Sequence, residues 1–230
     1  MVILMNEQIR TEILIGKENI NKINNTNILL VGIGGVGGIT AELLVRSGIN
    51  NLTIIDYDTF EESNLNRQIL CTNYDLKKEK VLVAKKRLLS INPNCNIDIK
   101  NIKIDDDNIK LLSEKYDYII DAIDDVNAKI LLIKFAINNN IKIISSCGTG
   151  NRLDPSKLYI TNIWKTAYDP LAKKLRYELR KEHINYKLPV VASSEIPMIK
   201  TNGYVGSMAM VPNAAGCLIA SYIIKDIINN

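Results

Sequence analysis

The stretch Asn27-Ile28-Leu29-Leu30-Val31-Gly32-Ile33-Gly34-Gly35-Val36-Gly37-Gly38 decides the fold. A short apolar run meets a cluster of glycines, and Ile39, Leu43 and Leu44 then recur at helical spacing until Gly48 closes the segment. This is strand, turn, helix. One glycine permits the tight turn, a second lets backbone approach a phosphate, and a third lets the helix start close to the strand. The helix N-terminus then offers unpaired N–H groups and a positive dipole end to an anion. Leu52-Thr53-Ile54-Ile55 is a second buried strand ending at Asp56, where a carboxylate is placed to accept hydrogen bonds from ribose hydroxyls. Gly32, Gly34, Gly35, Gly37, Asp56 and Asp58 are therefore nucleotide-binding candidates. The glycine pattern by itself suits NAD and ATP equally.

The same alternation continues outward. Helical spacing is expected over 77–91, a strand over 96–103, a short helix over 107–114, a strand over 118–120, a helix over 126–138 and a strand over 141–144. Strands alternating with helices predict a Rossmann-like, doubly wound, mostly parallel sheet with helices on both faces. Beyond Gly150 the alternation loosens into an α+β extension: a strand near 158–163, a basic helix over 170–183, a strand over 189–192 and a last helix near 213–228.

With 230 residues, of which 47% are hydrophobic and 23% charged, the chain is expected to be a single domain, 1–230, able to bury a proper core. Met1 to Met5 is too short for a signal peptide and lacks a basic flank. The apolar run from Ala214 to Ile224 falls short of the roughly 20 residues a bilayer requires, so no membrane span is expected and the protein reads as cytoplasmic. Cys71, Cys95, Cys147 and Cys217 form no C-x-x-C pair, which argues against a zinc site and for reduced, small apolar side chains. The net charge of +4 is concentrated in 165–187, where seven basic residues face three acidic ones.

The segment after the second strand separates the nucleotides. Glu62-Ser63-Asn64-Leu65-Asn66-Arg67-Gln68 is followed by Lys80, and an Mg-bound triphosphate requires fixed cations that a dinucleotide does not. Arg67 offers a planar fork for phosphate oxygens and Lys80 a compact charge where pyrophosphate leaves. Asp121-Ala122-Ile123-Asp124-Asp125 ends a strand at the carboxyl edge of the sheet, facing the ligand crevice. Asp124 is the Mg²⁺ candidate, Asp125 an alternative helix N-cap and Asp121 an alternative structural carboxylate.

G-x-G-G-x-G, D-x-D, S-N-L-N-R-Q, Lys and D-x-x-D, in that order over 27–146, resemble the ubiquitin-activating-enzyme superfamily of adenylating enzymes. Members acting on sulfur carriers generally hold two C-x-x-C pairs, which this chain lacks. Arg10-Thr11-Glu12-Ile13-Leu14-Ile15-Gly16, Asn151-Arg152-Leu153-Asp154-Pro155-Ser156, Lys165-Thr166-Ala167-Tyr168-Asp169-Pro170-Leu171-Ala172 and Ser193-Ser194-Glu195-Ile196-Pro197 resemble the tRNA threonylcarbamoyladenosine dehydratase branch.

The resemblance implies an adenylate-forming ligase chemistry. ATP, with Mg²⁺, adenylates the threonyl carboxylate of the modified adenosine in tRNA, and ring closure expels AMP without an enzyme nucleophile. The catalytic set it implies is Arg10, Arg67, Lys80 and Asp124, with Asn64, Asn66 and Gln68 on the nucleotide. It also implies a homodimer whose N-terminal arm, 1–25, carries Arg10 to the partner's ATP, although Glu7 and Gln8 stand where relatives show arginine and an aromatic residue. Residues 151–230 would bind substrate, and a cysteine desulfurase or sulfur acceptor fits as a partner. The basic residues Lys165, Lys173, Lys174, Arg176 and Arg180, interleaved with Trp164, Tyr168, Tyr177 and Tyr186, suit RNA contact. They suit an ordinary amphipathic helix with Leu171, Leu175 and Leu179 inward equally well. His183, the one histidine, lies in the same stretch and reads as a surface residue.

Overall fold

The computed structural model describes residues 8–112, 115–198 and 205–229. Two short helices, α1 (Ile9–Ile15) and α2 (Lys17–Asn25), lead into β1 (Asn27–Val31), α3 (Gly37–Arg46) and β2 (Asn51–Ile55). There follow α4 (Lys80–Leu89), β3 (Asn96–Lys100), β4 (Tyr118–Asp121), α5 (Val126–Asn138), β5 (Lys142–Ser146) and β6 (Leu158–Asn162). The chain ends in α6 (Pro170–Lys181), β7 (Pro189–Ser193) and α7 (Met210–Asn229). Seven strands form one sheet in the order β3-β2-β1-β4-β5-β7-β6, parallel throughout except for the β6–β7 pair. Strand order reverses between β1 and β4, which opens a crevice at their carboxyl ends.

Alternation along the strands builds a core on each face. Ile28, Leu30, Ile54 and Ile120 pack with α3, α4 and α7, while Leu29, Val31, Ile55 and Ile119 pack with α5 and α6. Asp125 caps α5 by accepting from the Asn127 and Ala128 N–H groups, and Asp169 caps α6 with Pro170 at the first helical position.

Several boundaries differ from the sequence reading. The helix expected from 77 starts at Lys80, because Lys77 lies in the left-handed region at φ 65. The strand expected to 103 ends at Lys100, and the short helix expected over 107–114 is a single 3₁₀ turn, Ile109–Leu111, with 113–114 outside the described residues. The α+β extension continues the same sheet, since β7 pairs with β5 and β6 closes the sheet edge. The last helix, expected near 213–228, runs over Met210–Asn229, 20 residues, and by length and composition alone is long and apolar enough to cross a bilayer. Its Val211, Ala215, Gly216, Ile219 and Ile223 are nevertheless buried, and Ala215, Ile219 and Ile223 pack in the same core as Leu44 and Val45 of α3. Pro212 lies against Gly35, and the Thr40 hydroxyl donates to the Gly216 carbonyl at 3.3 Å. Of the N-terminal arm, residues 1–7 lie outside the described residues, Glu7 among them.

Candidate active site

A cleft of about 510 Å³ opens at the carboxyl ends of β1, β2 and β4. Gly32 turns the chain out of β1 at φ 94, and a Cβ there would lie 2.7 Å from the Ala122 carbonyl oxygen. Only glycine fits. Gly34 is different: a Cβ would meet nothing nearer than Gln68 Nε2 at 3.9 Å, so its open face belongs to the cleft. Gly35 also lines the cleft, whereas Gly37 stands behind it, pressed on the Gly32 carbonyl.

Asp56 lines the cleft at the tip of β2 and is itself buried. Its Oδ2 accepts the Ile33 N–H at 2.6 Å and its Oδ1 the Asp58 N–H at 2.8 Å, so one carboxylate locks the glycine turn to the next strand. Burial lifts its carboxyl above the ordinary range, against the pull of those two N–H groups and of Lys80. Lys80, at the first position of α4, lies along the cleft wall with its Nζ on Asp58 Oδ2 at 2.9 Å. The lysine side chain is 7% exposed and the aspartate 47%, so the cation is fixed from the solvent side.

Asn64 is buried in a 3₁₀ capping box with Glu61, and it lines the cleft beside Arg67 and Gln68. Among the described residues Arg67 is anchored through Nη1, to the Ser63 carbonyl at 2.7 Å and Asn66 Oδ1 at 3.0 Å. The Asn213 amide of α7 holds its backbone carbonyl at 3.1 Å. Asn66 is not part of the lining; it ties Arg67 to the Ser207 carbonyl at 2.9 Å. Among the described residues Gln68 Oε1 is buried without a hydrogen-bond partner, a group that a ligand donor in the cleft would satisfy.

The three aspartates after β4 separate cleanly. Asp121 is fully buried and salt-bridged to Lys129, which makes it structural. Asp125 caps α5 and pairs with Lys103 at 3.2 Å; burial raises its carboxyl, but the Ala128 N–H and Lys103 outweigh this and hold it low. Asp124 lines the cleft, exposed, with no hydrogen bond or ion pair among the described residues. No group of three His, Cys, Asp or Glu side chains gathers to hold a metal among those residues. A single open carboxylate beside a phosphate cradle fits Mg²⁺, which takes one or two carboxylates and fills its shell with phosphate and water.

Sequence reasoning passed over Lys103, whose Nζ sits 5.8 Å from the Tyr57 ring centroid, and Gly148, Leu171 and Val205, all in the lining. The carboxyl-edge rule that selected Asp124 points to Lys103 as well, three residues past β3. Cys147 also lines the cleft; burial pushes its thiol up to about 12, so it stays protonated. Cys71 and Cys95 are buried as expected, and Cys217 is exposed.

Of the basic group, Lys165, Lys173, Lys174 and Arg180 are exposed, and the Arg180 guanidinium stacks 5.4 Å from the Trp164 ring centroid. Arg176 turns inward to Thr166 Oγ1, while Leu175 and Leu179 are buried as the amphipathic pattern requires. Arg10 is exposed on α1, outside the cleft, next to Ile13 and Leu14, which are 78% and 82% exposed. His183 is exposed at the end of α6.

Fold and cleft together define a nucleotide-binding α/β protein, with the glycine turn at the switch point of the sheet. The chain belongs to the ThiF family, whose family model matches residues 5–230. It is 33% identical to the tRNA threonylcarbamoyladenosine dehydratase of Bacillus subtilis (strain 168), over 96% of this chain and 94% of that relative. It is similar to the crystal structure of Escherichia coli tRNA N6-threonylcarbamoyladenosine dehydratase in complex with AMP, at a TM-score of 0.92 and 30% identity, covering 100% of this chain and 98% of that one. The complex of that enzyme with ATP aligns at a TM-score of 0.89 and 32% identity, covering 96% and 93% of the two chains.

Proposed function

We propose that this chain uses ATP to dehydrate N6-threonylcarbamoyladenosine in tRNA through an acyl-adenylate. The observation that carries the reading is the meeting, in one cleft, of the glycine turn with Arg67, Lys80 and Asp124, in a chain that follows the dehydratases over nearly its whole length. In this scheme the N-terminus of α3 and Gly34 take the phosphates, and Asp56 takes the ribose. Arg67 and Lys80 face the charge that develops as pyrophosphate departs. Asp124 would hold Mg²⁺, which supplies charge neutralisation at the phosphate oxygens when bound.

A threonyl carboxylate oxygen attacks the α-phosphorus, and the bond to the bridging oxygen breaks to release pyrophosphate. A nucleophilic atom of the carbamoyl group then attacks the acyl carbon, the bond to AMP breaks, and the carbamoyl group loses a proton. Both new bonds form between substrate atoms. No protein nucleophile is called for, in keeping with a protonated Cys147 and with His183 outside the cleft lining.

The exposed apolar face of α1 supports a twofold homodimer in which Arg10 reaches the partner's ATP. The exposed cations Lys165, Lys173, Lys174 and Arg180 support tRNA docking in the cytoplasm, with Arg176 bracing the helix that carries most of them.

Mass spectrometry of nucleosides from modified tRNA incubated with the protein, ATP and Mg²⁺ tests the reading. The threonylcarbamoyl nucleoside should lose one water, with AMP and pyrophosphate formed in equal amount. AMP formation that depends on a small carrier protein, with the nucleoside unchanged, would overturn it.

A further inference from the structure

Three segments that the nucleotide turn does not explain, residues 151–156, 165–172 and 193–197, meet at the buried side chain of Arg152. Its Nη1 donates to the Gly148 carbonyl, its Nη2 to the Tyr168 carbonyl at 2.9 Å and its Nε to the Glu195 carbonyl at 3.3 Å. Asp169, 4.0 Å from the guanidinium, accepts the Gly148 N–H at 2.8 Å and the Ala172 N–H at 3.0 Å. The Glu195 carboxylate closes the circuit on the Leu153 and Asp154 N–H groups, each at 3.0 Å. Gly148 and Leu171, which this circuit holds in place, both line the cleft.

Tyr168 belongs to that circuit: Arg152 grips its backbone carbonyl, and the capping Asp169 follows it directly. Its φ is 55, in the left-handed region that a bulky side chain avoids. Such a conformation persists only where the surroundings over-determine it, and it gathers at functional positions. The strain buys no burial, because the Tyr168 side chain is left 59% exposed next to the cleft wall. An aromatic face left in water on an anchored backbone, near a cleft, is what an unstacked base requires.

We propose that Tyr168 is the stacking platform for the purine ring of the nucleoside whose carboxylate is adenylated. The inference rests on the tRNA reading above. In it, the Arg152 circuit sets the distance between the stacked base and the cleft that receives ATP.

The experiment compares Tyr168→Asn and Tyr168→Phe with the wild type by steady-state dehydration of modified tRNA, by ATP calorimetry without tRNA and by thermal melting. Asn accepts the left-handed backbone, so Tyr168→Asn should melt no lower than the wild type. Its KM for modified tRNA should rise on the order of tenfold to a hundredfold. ATP affinity, and kcat at saturating tRNA, should hold, as for the loss of uniform binding. Tyr168→Phe should restore most of the lost affinity. An unchanged KM in Tyr168→Asn would overturn the platform, as would a parallel fall in ATP affinity and melting temperature. A wild type that dehydrates no nucleoside would overturn the tRNA reading itself.

Discussion

Replacing Lys129 by Met removes the cation from a salt bridge in which neither side chain is exposed at all. The ammonium donates to both oxygens of Asp121 at 3.0 Å, to Ser145 Oγ at 2.9 Å and to the Ser146 carbonyl at 2.9 Å. Met fills much of the lysine volume, so the cost comes from the Asp121 carboxylate left buried with no cation, held by the Ser145 hydroxyl and the Ile123 N–H. Stranding one partner of a buried pair costs about 3–5 kcal/mol. Total stability for a domain is about 5–15 kcal/mol, so a large share of the margin is at stake. Adding Asp121→Asn removes the stranded charge and keeps the bond to Ser145, and should recover about 2 kcal/mol. Urea unfolding, followed by the single tryptophan, Trp164, and by circular dichroism, measures all three variants. A loss below about 1 kcal/mol in Lys129→Met, typical of a surface pair, would refute the reasoning, and so would strict additivity of the two substitutions.

Arg67→Ala should leave the melting temperature nearly unchanged, since the Arg67 side chain bonds to Ser63 and Asn66 of its own loop, yet lower turnover on the order of a thousandfold; wild-type turnover would remove Arg67 from the proposed phosphate site. Glu42 accepts from Arg46 and Arg87, which together outweigh its burial and hold its carboxyl below the ordinary 4.5. Because the folded value is the lower one, this stabilisation is complete above about 4.5 and fades as pH falls through the folded value. Glu42→Gln should therefore be less stable than the wild type at neutral pH, with the gap closing in acid in paired urea titrations. Neutralising Lys173, Lys174 and Arg180 to Gln should weaken tRNA binding and flatten its salt dependence by up to about three in log–log slope. An unaltered slope would leave that face merely solvated.

The gathering of the glycine turn, Asp56, Arg67 and Lys80 at one cleft was legible because its determinants are local. The Gly32 turn and Asp56 sit at the ends of adjacent strands, and Arg67 and Lys80 follow within one loop and one helix start. Sequence alone makes Asp121 only an alternative structural carboxylate, because its burial depends on Lys129, one turn into α5, reaching back to it and not to Asp124. The far wall was hidden for a similar reason. Gly148 and Leu171 acquire their place through Arg152 and Asp169, and spacing carries no trace of such bonds. The order β5-β7-β6 was equally invisible, since an edge strand that pairs backwards with a later one has the same apolar pattern either way. The Lys77 conformation, which delays α4, reflects its N–H donating to the Phe60 carbonyl, a bond across a loop.

The last helix reaches back to two parts of the cleft wall, the glycine turn with α3 and the Arg67 loop: Pro212 on Gly35, the Gly216 carbonyl on Thr40, and Asn213 on the backbone of Arg67. Linkage then runs both ways between nucleotide occupancy and the local opening of α7. Amide hydrogen exchange along Met210–Asn229 should slow when ATP is present, though most of those amides lie outside the cleft. Conversely, anything that loosens this helix from its outer side, where Cys217 is exposed, would register as weaker ATP affinity before the sheet itself unravels.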